Sequence, residues 1–250
     1  ALEFAVGLDL LTMRGPVVMA GQVPGAERMS VAAGKVVLDR AGRVLRAKGD
    51  VRAGRGASHF ESDEAELFLA EDGETPAALM LDGALTGSYF PAVESESADR
   101  IDFRGAKLSI QFGPEGVSEP REMNLEGRGK NLALIESVDG EIIHGLASRS
   151  LWLTFEGGRP KSAQSSEPVY FAEYKRGVDD PMRSGRSDRA EAEFGPTGGI
   201  SRIVLVGGVT LADQKFRGWG EQALFDLSTE RSELLGEPAE HGEVPHHMGV

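Results

Sequence analysis

Along this chain, apolar residues fall at every second position in short runs, and each run stops at a glycine or a cluster of charges. Residues 106–112 show the pattern: Ala106, Leu108, Ile110 and Phe112 alternate with Lys107, Ser109 and Gln111. A period of two sends alternate side chains to opposite faces of an extended strand, which buries one face and wets the other. No run holds a 3.6-residue period long enough for a helix of ordinary length. The stretch 206–237 carries the plan in full. Gly207-Gly208 turns into Val209-Thr210-Leu211, and a second run carries Phe216 and Trp219. A third sets Ala223, Phe225 and Leu227 against Leu224, Asp226 and Ser228, and a fourth ends on Leu234-Leu235-Gly236. Successive antiparallel strands follow from this.

The same unit recurs upstream at Gly34-Val36-Leu38, Ala65-Leu67-Leu69, Leu151-Leu153-Phe155 and Ala190-Ala192-Phe194. Many units close on a second apolar run and a glycine, as at Leu79-Met80-Leu81 to Gly83. The anchors lie roughly 30 to 45 residues apart, the spacing of a repeat array. The expected fold is all-β: an elongated antiparallel array of repeated short strands. Residues 29–38 and 44–51 read as a hairpin, and 57–65 as strand, sharp polar corner and strand. Residues 91–100, acidic and serine-rich, read as an exposed loop or linker. Residues 175–188 are the least apolar stretch and read as a mobile loop. The expected domain covers 1–240, with a second reading of two units fused near 91–100, and a frayed tail over 241–250.

Charge and composition narrow the function. With 27 Lys and Arg against 40 Asp and Glu, the formal charge is −13, which is wrong for a phosphate-binding stripe and argues against a nucleic-acid partner. There are 33 glycines and no cysteine, so neither disulfides nor thiolate chemistry is available. No segment approaches the roughly 18 apolar residues of a membrane span. The opening lacks an initiator Met and a basic-then-apolar leader, and reads as a trimmed or mature fragment.

Catalytic motifs are weak. His59 sits at a strand corner and reads as a structural or surface histidine. His144, between Ile142, Ile143 and Leu146, reads as half-buried in a strand. His241, His246 and His247 lie in the tail beside Glu240 and Glu243, where a structured metal site is not expected. Gly218-Trp219-Gly220 mimics a dinucleotide fingerprint, but no helix pattern follows it. The Gly127-Arg128-Gly129-Lys130 run lacks the Ser/Thr and the loop length of a phosphate loop. Asp179-Asp180 sits on ground too mobile for an acid–base pair. No enzyme activity, catalytic residue, metal or cofactor is expected.

Several segments resemble the OstA-like family of lipopolysaccharide-transport domains, of the LptA, LptC and LptD N-terminal type. They are Gly207-Gly208-Val209, the run 220–226, and Leu234-Leu235-Gly236-Glu237-Pro238. Lys48-Gly49-Asp50-Val51 followed by 59–67 is a second match, and 146–153 a looser third. The resemblance implies an antiparallel β-jellyroll open along one side and a periplasmic location, compatible with an inner-membrane anchor preceding Ala1. It also implies partners: lipopolysaccharide or a related glycolipid, and other components of a transport bridge toward the outer membrane, namely the inner-membrane ABC transporter complex and the outer-membrane translocon. These components join by strand addition at free edges. The candidate edges are the runs 4–8 and 225–235. Alternation supplies an apolar face of one parity in Leu67, Leu69, Leu108, Ile110, Phe112, Leu151, Leu153, Phe155, Phe194, Phe225 and Leu227. These are the candidate lipid-binding residues, although a closed dry core needs the same pattern. Arg104, Arg149 and Arg217 are candidate partners for lipid phosphates at the mouth. Two rivals stand beside this reading: a polysaccharide-acting enzyme on a parallel β-helix, and a structural β-repeat without ligand.

Overall fold

In the computed structural model, the described residues are 3–6, 9–21, 29–91, 100–113, 119–213, 216–229 and 231–236. They contain strands and turns and no helix. Eighteen strands follow in order: β1 Glu3–Val6, β2 Leu10–Gly21, β3 Met29–Asp39, β4 Val44–Arg55, β5 Ser58–Leu69, β6 Pro76–Tyr89, β7 Arg100–Phe112, β8 Pro120–Glu126 and β9 Ala133–Asp139. The second half adds β10 Ile142–Ser148, β11 Ser150–Glu156, β12 Arg159–Ser165, β13 Val169–Lys175, β14 Arg183–Ser187, β15 Arg189–Phe194, β16 Ile200–Asp213, β17 Arg217–Asp226 and β18 Arg231–Leu235. Every ladder is antiparallel, which removes the parallel β-helix. The alternating sequence forms the strands for the reason given above. The hairpin expected over 29–38 and 44–51 is β3 and β4, the second strand running four residues further, and the corner expected within 57–65 falls inside β5.

The long strands are folded in the middle. Register shifts interrupt the β2–β3, β3–β4, β4–β5, β5–β6, β6–β7 and β16–β17 ladders at the same level. The interruption has a rule. In β2, β4, β6 and β16 the buried positions step by four across the corner, from Met13 to Val17, Ala47 to Val51, Leu81 to Leu85 and Leu205 to Val209. In β3 and β5 they step by three, from Ala33 to Val36 and Ser62 to Ala65. The four-residue steps hold the left-handed residues: Gly15, Gly49 with Asp50, Gly83, and Gly207 with Gly208. At Gly83, with φ +112°, the Asp63 carboxylate fills the place a Cβ would take, and its Oδ2 accepts the Ala84 N–H at 3.0 Å. A glycine adopts that backbone without strain, whereas an L-side chain does not.

From β8 to β15 the corner becomes a break. Ser148 to Leu151, Ser165 to Val169 and Ser187 to Ala190 continue the alternation of three and four between separately named strands. Each of β10–β11, β12–β13 and β14–β15 is therefore one folded ribbon, interrupted at its bend, and β8–β9 is joined by a longer corner that holds the Arg128–Asn131 bridge. One half of every ribbon lies in a first wall (β8, β11, β12, β15 and matching halves of the long strands). The other half lies in a second wall (β9, β10, β13, β14). Because β7 pairs with both β8 and β9, and β16 with both β14 and β15, the ladders close into a ten-strand ring, β7–β8–β11–β12–β15–β16–β14–β13–β10–β9.

The two walls share one core, running from Met13 to Phe225. They touch across the side opposite the corners. Tyr89 of the second wall packs edge-on against Phe155 of the first at 5.4 Å, and its hydroxyl donates to the Gly158 carbonyl. Phe171 meets Phe225 at 4.8 Å, and the Ile200 N–H donates to Ser137 Oγ at 3.1 Å. The ring and these contacts differ from an unsealed gutter. The apolar faces are complementary enough to meet each other and exclude water from the middle of the molecule.

Two expectations about loops need comment. Residues 183–187 are strand β14, not mobile loop, because the backbone pairs with β13 on one side and β16 on the other whatever the polarity of its side chains. Residues 92–99 and 237–250, expected as linker and tail, lie outside the described residues. On either side of 92–99, β6 and β7 pair with each other along their length.

Candidate functional site

Cross-strand pairing arranges the inward side chains of the first wall in rows perpendicular to the strands. One row runs Leu11, Leu38, Leu45, Leu67, Leu79, Ile110, Met123, Leu153, Ala163, Ala192, Ile203, Phe225. A second, nearer the corners, contains Leu81, Leu108, Leu125 and Leu151. Toward the mouth, Leu69, Phe112, Phe155 and Phe194 stand opposite Pro76, Pro120, Pro160 and Ile200. All the candidate lipid-binding residues belong to this wall. Leu67, Ile110, Leu153 and Phe225 lie in the first row, Leu108 and Leu151 in the second, and Leu69, Phe112, Phe155, Phe194 and Leu227 along the mouth.

Their exposure divides them. Leu108 and Leu153 are at 0%, Leu151 at 1% and Phe225 at 2%, each covered by protein side chains. Burial of each contributes about 1.5–3 kcal/mol. Leu67, Leu69, Phe112, Phe194 and Leu227 are half-buried.

The facing wall carries a matching row that the single-parity reading misses: Phe60, Phe103, Ile135, Leu146, Phe171 and Leu211. Phe60 and Phe103 lie 6.1 Å apart across Gly87. A Cβ on Gly87 would stand 2.6 Å from the Phe60 ring, so the close approach requires a glycine.

At the C-terminal end the interior reaches the surface. A cavity of about 600 Å³ lies where β14 and β16 face β17 and β18, lined by Met182, Leu211, Phe216, Phe225 and Leu234 with Glu173, Arg183, Asp213 and Ser232 at its polar edge. This is within the size range of small-ligand clefts. Of the predicted residues, only Phe225 lines it.

Beside the cavity, the inward row nearest the mouth of the second wall turns polar: Ser137, His144, Glu173, Arg183 and Asp213 succeed one another in register. His144 Nε2 lies 3.4 Å from Glu173 Oε2, and Arg183 Nε donates to Glu173 Oε1 at 3.2 Å. Arg183 then reaches across the interior and donates to Ser232 Oγ at 2.9 Å. The hydrogen bond from His144, aided by the Arg183 charge, holds the Glu173 carboxyl below its ordinary value despite its burial. His144 Nδ1 is buried with no protein partner among the described residues. Its ring is more buried than the sequence suggests, at 6% exposure. The signal was available: His144 shares the inward parity of Leu146 and Ser148, and Glu173 that of Phe171.

The three candidate headgroup arginines do not gather at the mouth. Arg104 lies on the outer face, between the inward positions Phe103 and Gly105, and Arg149 sits at the corner joining β10 to β11. Arg217 is exposed at the start of β17. Parity and the position of the corner decide this, and Arg183 is the arginine beside the cavity. His59 is exposed on β5, while His241, His246 and His247 lie outside the described residues. Among the described residues, no group of three His, Cys, Asp or Glu side chains could hold a metal ion. Comparison with protein-family models and with curated proteins finds no match to this chain.

Proposed function

We propose that this chain is a non-enzymatic carrier of acyl chains, built as an open β-jellyroll whose two walls part along the mouth to admit them. One observation carries the reading: the apolar rows are continuous from β2 to β18 and end in a surface cavity floored by Phe225. Among the described residues fourteen strands, β1 included, lie side by side along the first wall, and at about 4.8 Å per step they give an inner surface on the order of 62 Å long. Each buried methylene of a lipid tail is worth about 0.8 kcal/mol. When a tail replaces the Tyr89–Phe155 and Phe171–Phe225 contacts, one apolar contact is exchanged for another, and separation costs the Tyr89–Gly158, Ile200–Ser137 and Arg183–Ser232 hydrogen bonds, about 0.5–1.5 kcal/mol each. The sequence resemblance to the OstA-like family selects the cargo, lipopolysaccharide or a related glycolipid, and the periplasm as the place.

The ends of the sheet suit a bridge. β1 and β18 are the last strands at either end, and each covers only the first-wall half of its neighbour. Among the described residues no strand pairs with the second-wall halves, Pro16 to Gly21 of β2 and Arg217 to Gly220 of β17, on their outer side. Unpaired backbone of this kind accepts a strand from a neighbouring component. Directional movement would draw its energy from a partner ATPase.

The near-zero exposure of Leu108 and Leu153 favours a second reading, a structural domain with no ligand. Photo-crosslinking separates the two. A benzophenone amino acid placed at Leu211, Phe225 or Leu234 should yield adducts with lipopolysaccharide, whereas the same group at the outward Tyr170 should not. Equal labelling at inner and outer positions, or none at the inner ones, would overturn the carrier.

A further inference from the structure

A second concavity lies on the outer surface of the first wall and does not depend on what the interior holds. Its volume is about 560 Å³. Trp152 forms one side, 43% exposed, and Val204 the other. Between them in register stand Gln164 and Glu191, on the neighbouring strands β12 and β15. Arg189 and Glu167 complete the lining.

Gln164, Glu191 and Ser150 are held in place before any ligand arrives. Gln164 Nε2 donates to Glu191 Oε1 at 3.1 Å. On the far side of the indole, Ser150 Oγ donates to Asn124 Oδ1, and Asn124 Nδ2 to Glu126 Oε1, both at 3.0 Å. Glu167 Oε2 is buried with no protein donor among the described residues. Among them, too, Arg189 makes no salt bridge.

We propose that this face binds a neutral saccharide. A pyranose ring has an apolar C–H face that stacks on an exposed indole, and a rim of hydroxyls that both donate and accept. The donor it meets is the Arg189 guanidinium, and the acceptors are the free oxygens of Gln164 and Glu191. Planar amide and carboxylate groups fixed by their neighbours match vicinal hydroxyls without an ordering cost. A purely apolar ligand would strand these groups, and an anionic sugar would face two carboxylates against one guanidinium.

The chain has two tryptophans, so a Trp219→Phe background leaves Trp152 as the only indole reporter. Methyl glucoside, methyl galactoside, methyl mannoside, cellobiose and lactose are titrated against its emission, with saturation-transfer NMR as the second readout. At least one should give a saturable change. Trp152→Ala, followed by NMR, and the independent surface variant Gln164→Ala should each weaken that binding by about tenfold or more. Glucuronate should bind more weakly than methyl glucoside. Absence of saturable binding across the panel, full binding by both variants, or glucuronate binding as tightly as methyl glucoside would each overturn the proposal.

Discussion

Replacing Glu173 by Gln tests whether the polar row beside the cavity ties the strands of the second wall together. The side chain is 6% exposed and carries two partners, His144 at 3.4 Å and Arg183 at 3.2 Å. Glutamine keeps the volume and removes the charge that both partners point at. Arg183 is 33% exposed and recovers some hydration, which keeps the loss below that of a fully buried broken pair. Hydrogen bonds to charged groups are worth about 1.5–3 kcal/mol, so a net loss of about 2 kcal/mol is expected near neutral pH. In a chain of this size that lowers the melting temperature by about 4–8 °C. The pH dependence is the sharper readout. The Glu173 carboxyl titrates below its ordinary value of 4.5 in the folded protein. Its contribution is therefore present above that value and is lost as the pH falls through the lowered folded one. Thermal unfolding followed by circular dichroism at neutral pH and again well below pH 4.5 should show the gap between wild type and Glu173→Gln narrowing with acid. Equal melting temperatures at neutral pH, or a gap that stays constant or widens with acid, would refute the assignment.

Two further outcomes follow from the core and the corners. Leu153→Ala, at a position of 0% exposure in the middle of the first wall, should cost about 2–5 kcal/mol in a urea titration. Gly83→Ala should lose about 1–3 kcal/mol, because φ is +112° and the Asp63 carboxylate occupies the Cβ position. Gly129→Ala, also left-handed but with open space around it, is the control and should lose less in the same titration.

Much of the architecture was legible because a period of two survives in each half-ribbon. Ala106 to Phe112 and Leu151 to Phe155 are strands, and their inward residues are the ones the alternation marks. The facing wall was less legible because of the corners. In β5 the inward positions are Phe60 and Ser62 and then Ala65 and Leu67, so parity changes within one strand. A reader holding one parity takes Phe60 for the opposite face. Polarity misled at Arg183–Ser187, whose strand is fixed by backbone pairing on both edges. The His144–Glu173–Arg183 association lies beyond local sequence. It joins three strands and depends on the order in which β10, β13 and β14 neighbour one another.

The alternation of four- and three-residue steps also bears on how such a molecule changes length. Two adjacent ribbons, one of each kind, form the smallest unit that returns the bend to its starting phase. Duplicating or deleting such a couple leaves every remaining side chain facing as before. A lone ribbon gained or lost would set two like bends side by side and break the match at that one junction. Couples, rather than single ribbons, are therefore the natural increment for resizing this scaffold.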